Sequence, residues 1–161
     1  MNRRALALIP IVAVVAACAS QPTAAPVSIA DTIAHDPQLS TLNGLIHSAG
    51  LDDALKAQGP YTLFAPSNEA FQAVPAKTMN ELARDPARLK DVLSYHVLPG
   101  KVMAGDVRNS NAKTAEGASV ALSKAGTFVT VEDAMVQRAD IVASNGVVHT
   151  VDRVLMPPAK H

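Results

Sequence analysis

His149 with Asp152, and the adjacent pair Tyr95–His96, are the residues of this 161-residue chain whose types could perform acid–base chemistry. An imidazole beside a carboxylate or a phenol is a general base only if both side chains converge on one proton. The spacing argues against that. His149 and Asp152 stand three apart in an apolar run that reads as a strand, so their side chains point to opposite faces. Each is expected to satisfy buried backbone groups or a partner from another element. The five histidines (His35, His47, His96, His149, His161) include no pair at i,i+2 or i,i+4, the spacings that would align metal ligands locally. Nucleophile elbows, phosphate-cradling glycine loops, His-Glu-x-x-His runs and cysteine pairs are missing from the chain. No catalytic residue, metal or cofactor is therefore assigned.

Two segments must position these groups. Residues 62–71 carry Phe64, Pro66, Asn68 and Phe71, and residues 144–158 carry Asn145, Gly146, His149 and Asp152. Each runs an apolar stretch into or out of backbone punctuation, the pattern of a strand with a fixed boundary. Pro66 removes a donor and ends pairing, and Ser67 can cap the next turn. Asn145–Gly146 is the strongest short hairpin signal, because both residues tolerate positive φ. Its turn would set the register of the last strand. Polar side chains inside apolar segments are costly unless they are paired, so these are read as structural residues.

Helical signals come first in the chain. Ser28 and Asp31 are a capping pair for a helix through Ala34. Asp36–Pro37 starts another, with Leu39, Leu42, Leu45, Ile46 and Ala49 on one face and Gly50 as its stop. Residues 51–57 make a short turn. Thr78 and Glu81 have the spacing of a capping box for a helix holding Met79 and Leu82. Asp85–Pro86 opens a helix with Leu89, Val92 and Leu93 inward. From Lys101 the character turns to β, with strands expected over 119–122, 127–131, 134–136, 140–142 and 147–155. Helices first and strands later make an α+β class.

The N-terminus has a basic start, Arg3–Arg4, then an apolar run to Ala17 that is too short to span a bilayer comfortably. Small residues precede Cys18, the single cysteine, in an order that resembles the bacterial lipobox. Lipidation of Cys18 is the expectation; ordinary secretory cleavage after Ala19 is the alternative. The organisation read is a signal peptide over 1–17, a lipidated cysteine and tether over 18–27, one domain over 28–158 and a tail over 159–161. Losing Arg3 and Arg4 takes 14 basic side chains to 12 against 14 acidic, a net charge of −2. That balance has no electrostatic footprint for nucleic acid. With no Trp, two Tyr and three Phe, the core must be aliphatic, and the composition argues against a wide aromatic platform for carbohydrate. A nine-residue flexible tether reaches only about 15–18 Å on average.

Taken in order, residues 62–71, Tyr95–His96 and residues 144–158 resemble the two signatures and the tyrosine–histidine motif of the fasciclin domain family, over roughly residues 27–158. Ser67-Asn68-Glu69 replaces a more usual Thr-Asp-Glu type of run, Val148 and Val151 stand for isoleucines, and no Arg-Gly-Asp occurs. The resemblance implies a wedge of two β-sheets, about seven strands, with several short helices packed alongside. It also implies an adhesion or matrix-type binding module without enzymatic activity; with the lipid anchor expected at Cys18, it would be held on a membrane as a monomer. The partner would be a cell-surface or envelope protein or glycan. Tyr95, His96, Asp140 and Ile141 match positions that the family associates with attachment. A small-ligand-binding or sensory envelope protein, with an apolar pocket between sheet and helices, is the second reading.

Overall fold

The computed structural model describes residues 27–158; Cys18, the signal segment and the tail lie outside the described residues. Among the described residues, six α-helices and seven strands run in the order α1 (Ile29–His35), α2 (Ser40–Ala49), α3 (Asp52–Lys56), β1 (Tyr61–Pro66), α4 (Asn68–Gln72), α5 (Ala76–Arg84), α6 (Pro86–Tyr95), β2 (Val97–Pro99), β3 (Ser110–Lys113), β4 (Ser119–Ala125), β5 (Phe128–Val131), β6 (Ala134–Ala143) and β7 (Gly146–Val151).

Local chemistry sets most of the boundaries. Ser28 accepts from the Asp31 amide, Ser67 from the Ala70 amide, and Asp85 from the amides of Ala87 and Arg88, each filling orphan donors of a first turn. Gly50 closes α2 in the left-handed region at φ 67°. Thr78 caps nothing. α5 begins two residues earlier, at Ala76, with Pro75 ahead of it and no side-chain cap.

The strands form the order β2-β1-β7-β6-β5-β4-β3. β1 and β7 are parallel neighbours, with Tyr61 opposite Gly146 and Pro66 opposite Val151. The two expected sheets meet in β6. Its first residues pair with β5 and the rest with β7, and register shifts flank Arg138. Residues 134–136 and 140–142, expected as two strands, are thus one strand bent at bulges.

Alternation along β1 and β7 divides two cores. Leu63, Ala65 and Val148 face the helices, joining Ile33, Leu42, Ile46 and Leu93. Phe64 and Val151 face the opposite way, against Tyr95, Val120, Val131 and Leu155. Thr150, fully buried on β7, has the one buried side-chain oxygen without a hydrogen-bond partner among the described residues. An unpaired buried hydroxyl is destabilising. Thr150→Val is therefore expected to gain about 1 kcal/mol, a rise of roughly 3 °C in the thermal midpoint. A lowered midpoint would show that the hydroxyl does have a partner.

Candidate functional site

His149 is the centre of a polar network beneath the segment between β2 and the bend near Ala104. The Asp140 amide donates to its Nδ1 at 3.1 Å, so the proton sits on Nε2, which donates to the Val102 carbonyl at 2.6 Å. The ring stacks on Phe64, with centroids 5.7 Å apart. Thr62 donates to the Gly100 carbonyl and accepts from the Val102 amide, and the Asp140 carboxylate accepts from the Ala104 amide at 2.8 Å. Three side chains on three different strands thus hold one strap, residues 100–104. Burial pushes the His149 pKa down, against a smaller upward pull from its Val102 bond and from Asp140. Both ring nitrogens are occupied, so this imidazole has no lone pair for a substrate proton.

Asp152 does not face His149 as a partner. The strand ends at Val151, short of the expected Leu155. Asp152 instead accepts from the Met135 amide at 2.7 Å and donates its own amide to the Met135 carbonyl, extending the β6–β7 pairing past the last strand residue.

Tyr95 and His96 require a correction as partner-binding candidates. They are 3% and 1% exposed. His96 accepts from the Leu155 amide at 2.9 Å through Nε2, so Nδ1 carries the proton and donates to the Val92 carbonyl at 2.7 Å. Complete burial lowers its pKa to about 4. Tyr95 donates to the Ser119 carbonyl, and desolvation, followed by the charges of Glu132 and Glu116, raises its pKa. Both side chains are spent inside the molecule, at the C-terminal end of α6, with Tyr95 packed in the core opposite to that of Leu89, Val92 and Leu93.

Asn68 and Asn145 do comparable work at the helical side. Asn68 accepts from the Thr41 amide and donates to the Pro37 carbonyl, tying the start of α4 to the start of α2. Asn145 accepts from the Ile29 amide at 2.9 Å and donates to the carbonyls of Leu55 and Ala57 at 2.6 and 2.8 Å. One amide therefore joins α1, the end of α3 and the β6–β7 hairpin. Neither Asn145 nor Gly146 has positive φ, so the expected reason for this dipeptide is corrected. Gly146 is needed because a Cβ there would run into the Tyr61 carbonyl oxygen. Pro66 and Phe71 are buried, Phe71 in the helix-side core.

What stays at the surface is the bulge of β6. Asp140 is exposed and sits in the left-handed region at φ 59°, and Val142 is 61% exposed. Ile141 is half-buried against the helix-side core and lines a groove with Pro37, His35 and Arg138. Arg138 closes one side of that groove with a 2.9 Å ion pair to Asp36. The offset that exposes Asp140 comes from two register shifts, for which the sequence carries no marker. Among the described residues, no three His, Cys, Asp or Glu side chains are grouped to hold a metal ion, and no helix is long and apolar enough to cross a membrane.

Comparison with known proteins fits this geometry. The profile of the Fasciclin domain matches residues 37–157. Protein sll1483 of Synechocystis sp. is 38% identical over 138 residues, covering 84% of this chain and 77% of the relative. Transforming growth factor-beta-induced protein ig-h3 of Sus scrofa is 40% identical over 133 residues, 82% of this chain but only 20% of that protein. Among solved structures, a FAS1 domain pair from the insect cell adhesion molecule fasciclin I aligns with a TM-score of 0.66 at 16% identity. It covers 81% of this chain and 51% of that one, which establishes the fold.

Proposed function

The chain belongs to the fasciclin domain family, and from that premise we propose that it is a non-enzymatic adhesion module of a bacterial cell envelope. The observation that carries this reading is the bulge of β6. There a carboxylate, Asp140, and an apolar side chain, Val142, are presented together beside the Ile141 groove, while the other polar motif residues are turned to internal use. A protein or glycan of the cell surface or envelope docks at this bulge. The lipid anchor at Cys18 keeps the monomer within a tether's length of its membrane, and stable anchoring takes more than one acyl chain.

A deletion strain tests this when complemented in three arms: the parent gene, Cys18→Ala and Asp140→Asn. Asparagine keeps the left-handed conformation and the bond to Ala104 but removes the charge. Deletion is expected to reduce surface attachment severalfold, the parent gene to restore it, and both variants to fail with unchanged thermal midpoints. An attachment phenotype that Asp140→Asn restores fully would move the contact elsewhere. A deletion strain that attaches and aggregates like its parent would end the adhesion reading.

A further inference from the structure

We propose a second site, unrelated to the β6 bulge: a pocket between the helices and the sheet that binds a small, neutral, single-ring molecule. It holds about 190 Å3, bounded by α2, α3, α6, β1 and β2. Its floor is Leu42, Ile46, Leu55, Leu63 and Leu93, all at most 5% exposed. Interiors normally close around residues as buried as these and leave few voids larger than a water molecule. Here they do not close, and the opening reaches the surface beside the exposed Ala54 and Ala115.

Its dimensions and chemistry define the ligand class. A dry cavity of about 150 Å3 lined by Leu, Ile and Phe accepts benzene, so this pocket accommodates one ring with a small substituent. Sites for drug-sized ligands run to about 300–1,000 Å3, which is too large for this space. Among the described residues, no charged residue lines the wall, and Tyr61 and Ser94 are the only lining residues with a polar side chain. A charged ligand would lose its hydration without a counter-charge. A phenol-like molecule would bury its ring on the leucines and leave its hydroxyl near the wall hydroxyls. Ligand occupancy would regain the contacts that the uncovered side chains lack.

The probe is p-cresol, with 4-methylbenzoate as a charged analogue of similar shape, added to residues 18–161, the chain without its expected signal segment. The thermal midpoint should rise with p-cresol concentration, by roughly 5 °C at ten times its Kd, and stay unmoved with 4-methylbenzoate. Amide resonances of α2, α3 and β1 should shift on titration, a readout that needs no variant. Ala54→Phe, at the exposed rim, should fill the opening and remove both responses. A flat midpoint at millimolar p-cresol, equal binding of the carboxylate, or resonance shifts scattered away from these elements would overturn the proposal.

Discussion

Gly146→Ala is expected to cost at least about 4 kcal/mol, enough to remove most of the stability of a domain this size. The methyl group would overlap the Tyr61 carbonyl oxygen and stand 2.8 Å from the Tyr61 carbonyl carbon and 2.9 Å from Ile29 Cδ1. The first two neighbours are backbone of the adjoining parallel strand, where Tyr61 lies opposite Gly146, so no rotamer change relieves them. Relief requires β1 and β7 to separate at this end. That movement pulls on the bond from the Tyr61 amide to the Asn145 carbonyl and on the three bonds made by the Asn145 side chain. Overpacking that only shifts side chains costs about 1–3 kcal/mol; here the ladder itself must yield. Gly44→Ala is the control. It sits inside α2, where a Cβ would have nothing within 4 Å, and alanine there should add about 0.5–1 kcal/mol. Urea midpoints of the two variants should move in opposite directions. A Gly146→Ala midpoint close to the parent's would refute the close-approach account.

The same position shows how far the sequence can be read. Asn145–Gly146 is legible as a hairpin, and β6 and β7 do pair antiparallel on either side of it. Its reason is not legible, because the atom that forbids a side chain belongs to Tyr61, far away in the chain. Boundaries set by nearest neighbours were readable: Ser28, Ser67 and Asp85 cap their own first turns, and Gly50 ends α2. β3 was not readable, since Ser110–Lys113 is a largely exposed, polar strand at the end of the sheet with no alternation to mark it. Thr78 misled because cap chemistry at the right spacing says nothing of whether the backbone is already helical. Two of the four candidate contact residues, Tyr95 and His96, are turned inward, and the reason is informative. Tyr95 and His96 carry polar groups, which suggests a surface, but their partners Ser119 and Leu155 lie 24 and 59 residues on. Polarity in the sequence marks a need for a partner and leaves open whether that partner is internal.

Both buried histidines make the fold acid-sensitive in a window above the carboxylates. His96 is neutral in the folded state with its pKa lowered from 6.5 to about 4. The sign follows from linkage. Above the unfolded value of 6.5 neither state binds a proton, and stability is at its full value. As pH falls below it, the unfolded chain takes up a proton that the folded chain refuses, so stability declines until the folded value is passed. The full loss from His96 is about 3 kcal/mol, at about 1.4 kcal/mol for each tenfold difference in proton affinity; by pH 5 about 2 kcal/mol is already gone. His149, also lowered by burial, acts in the same direction. Asp31 titrates lower, because its hydrogen bond from Ser28 depresses its pKa below 3.8, so its contribution is lost only in stronger acid. Protonation strikes definite contacts. A proton on His96 Nε2 turns it against the Leu155 amide, and one on His149 Nδ1 against the Asp140 amide, so the segment after β7 and the strap over Phe64 are the first to be released. Urea unfolding at pH 7.5, 6, 5 and 4.5 should show this decline, with the imidazole of His96 still mostly neutral at pH 5 in the folded protein and that of His149 titrating below 6.5. Stability that is level from pH 7.5 to 4.5, or a folded-state His96 that titrates near 6.5, would mean that the imidazoles do not hold these segments in their neutral form.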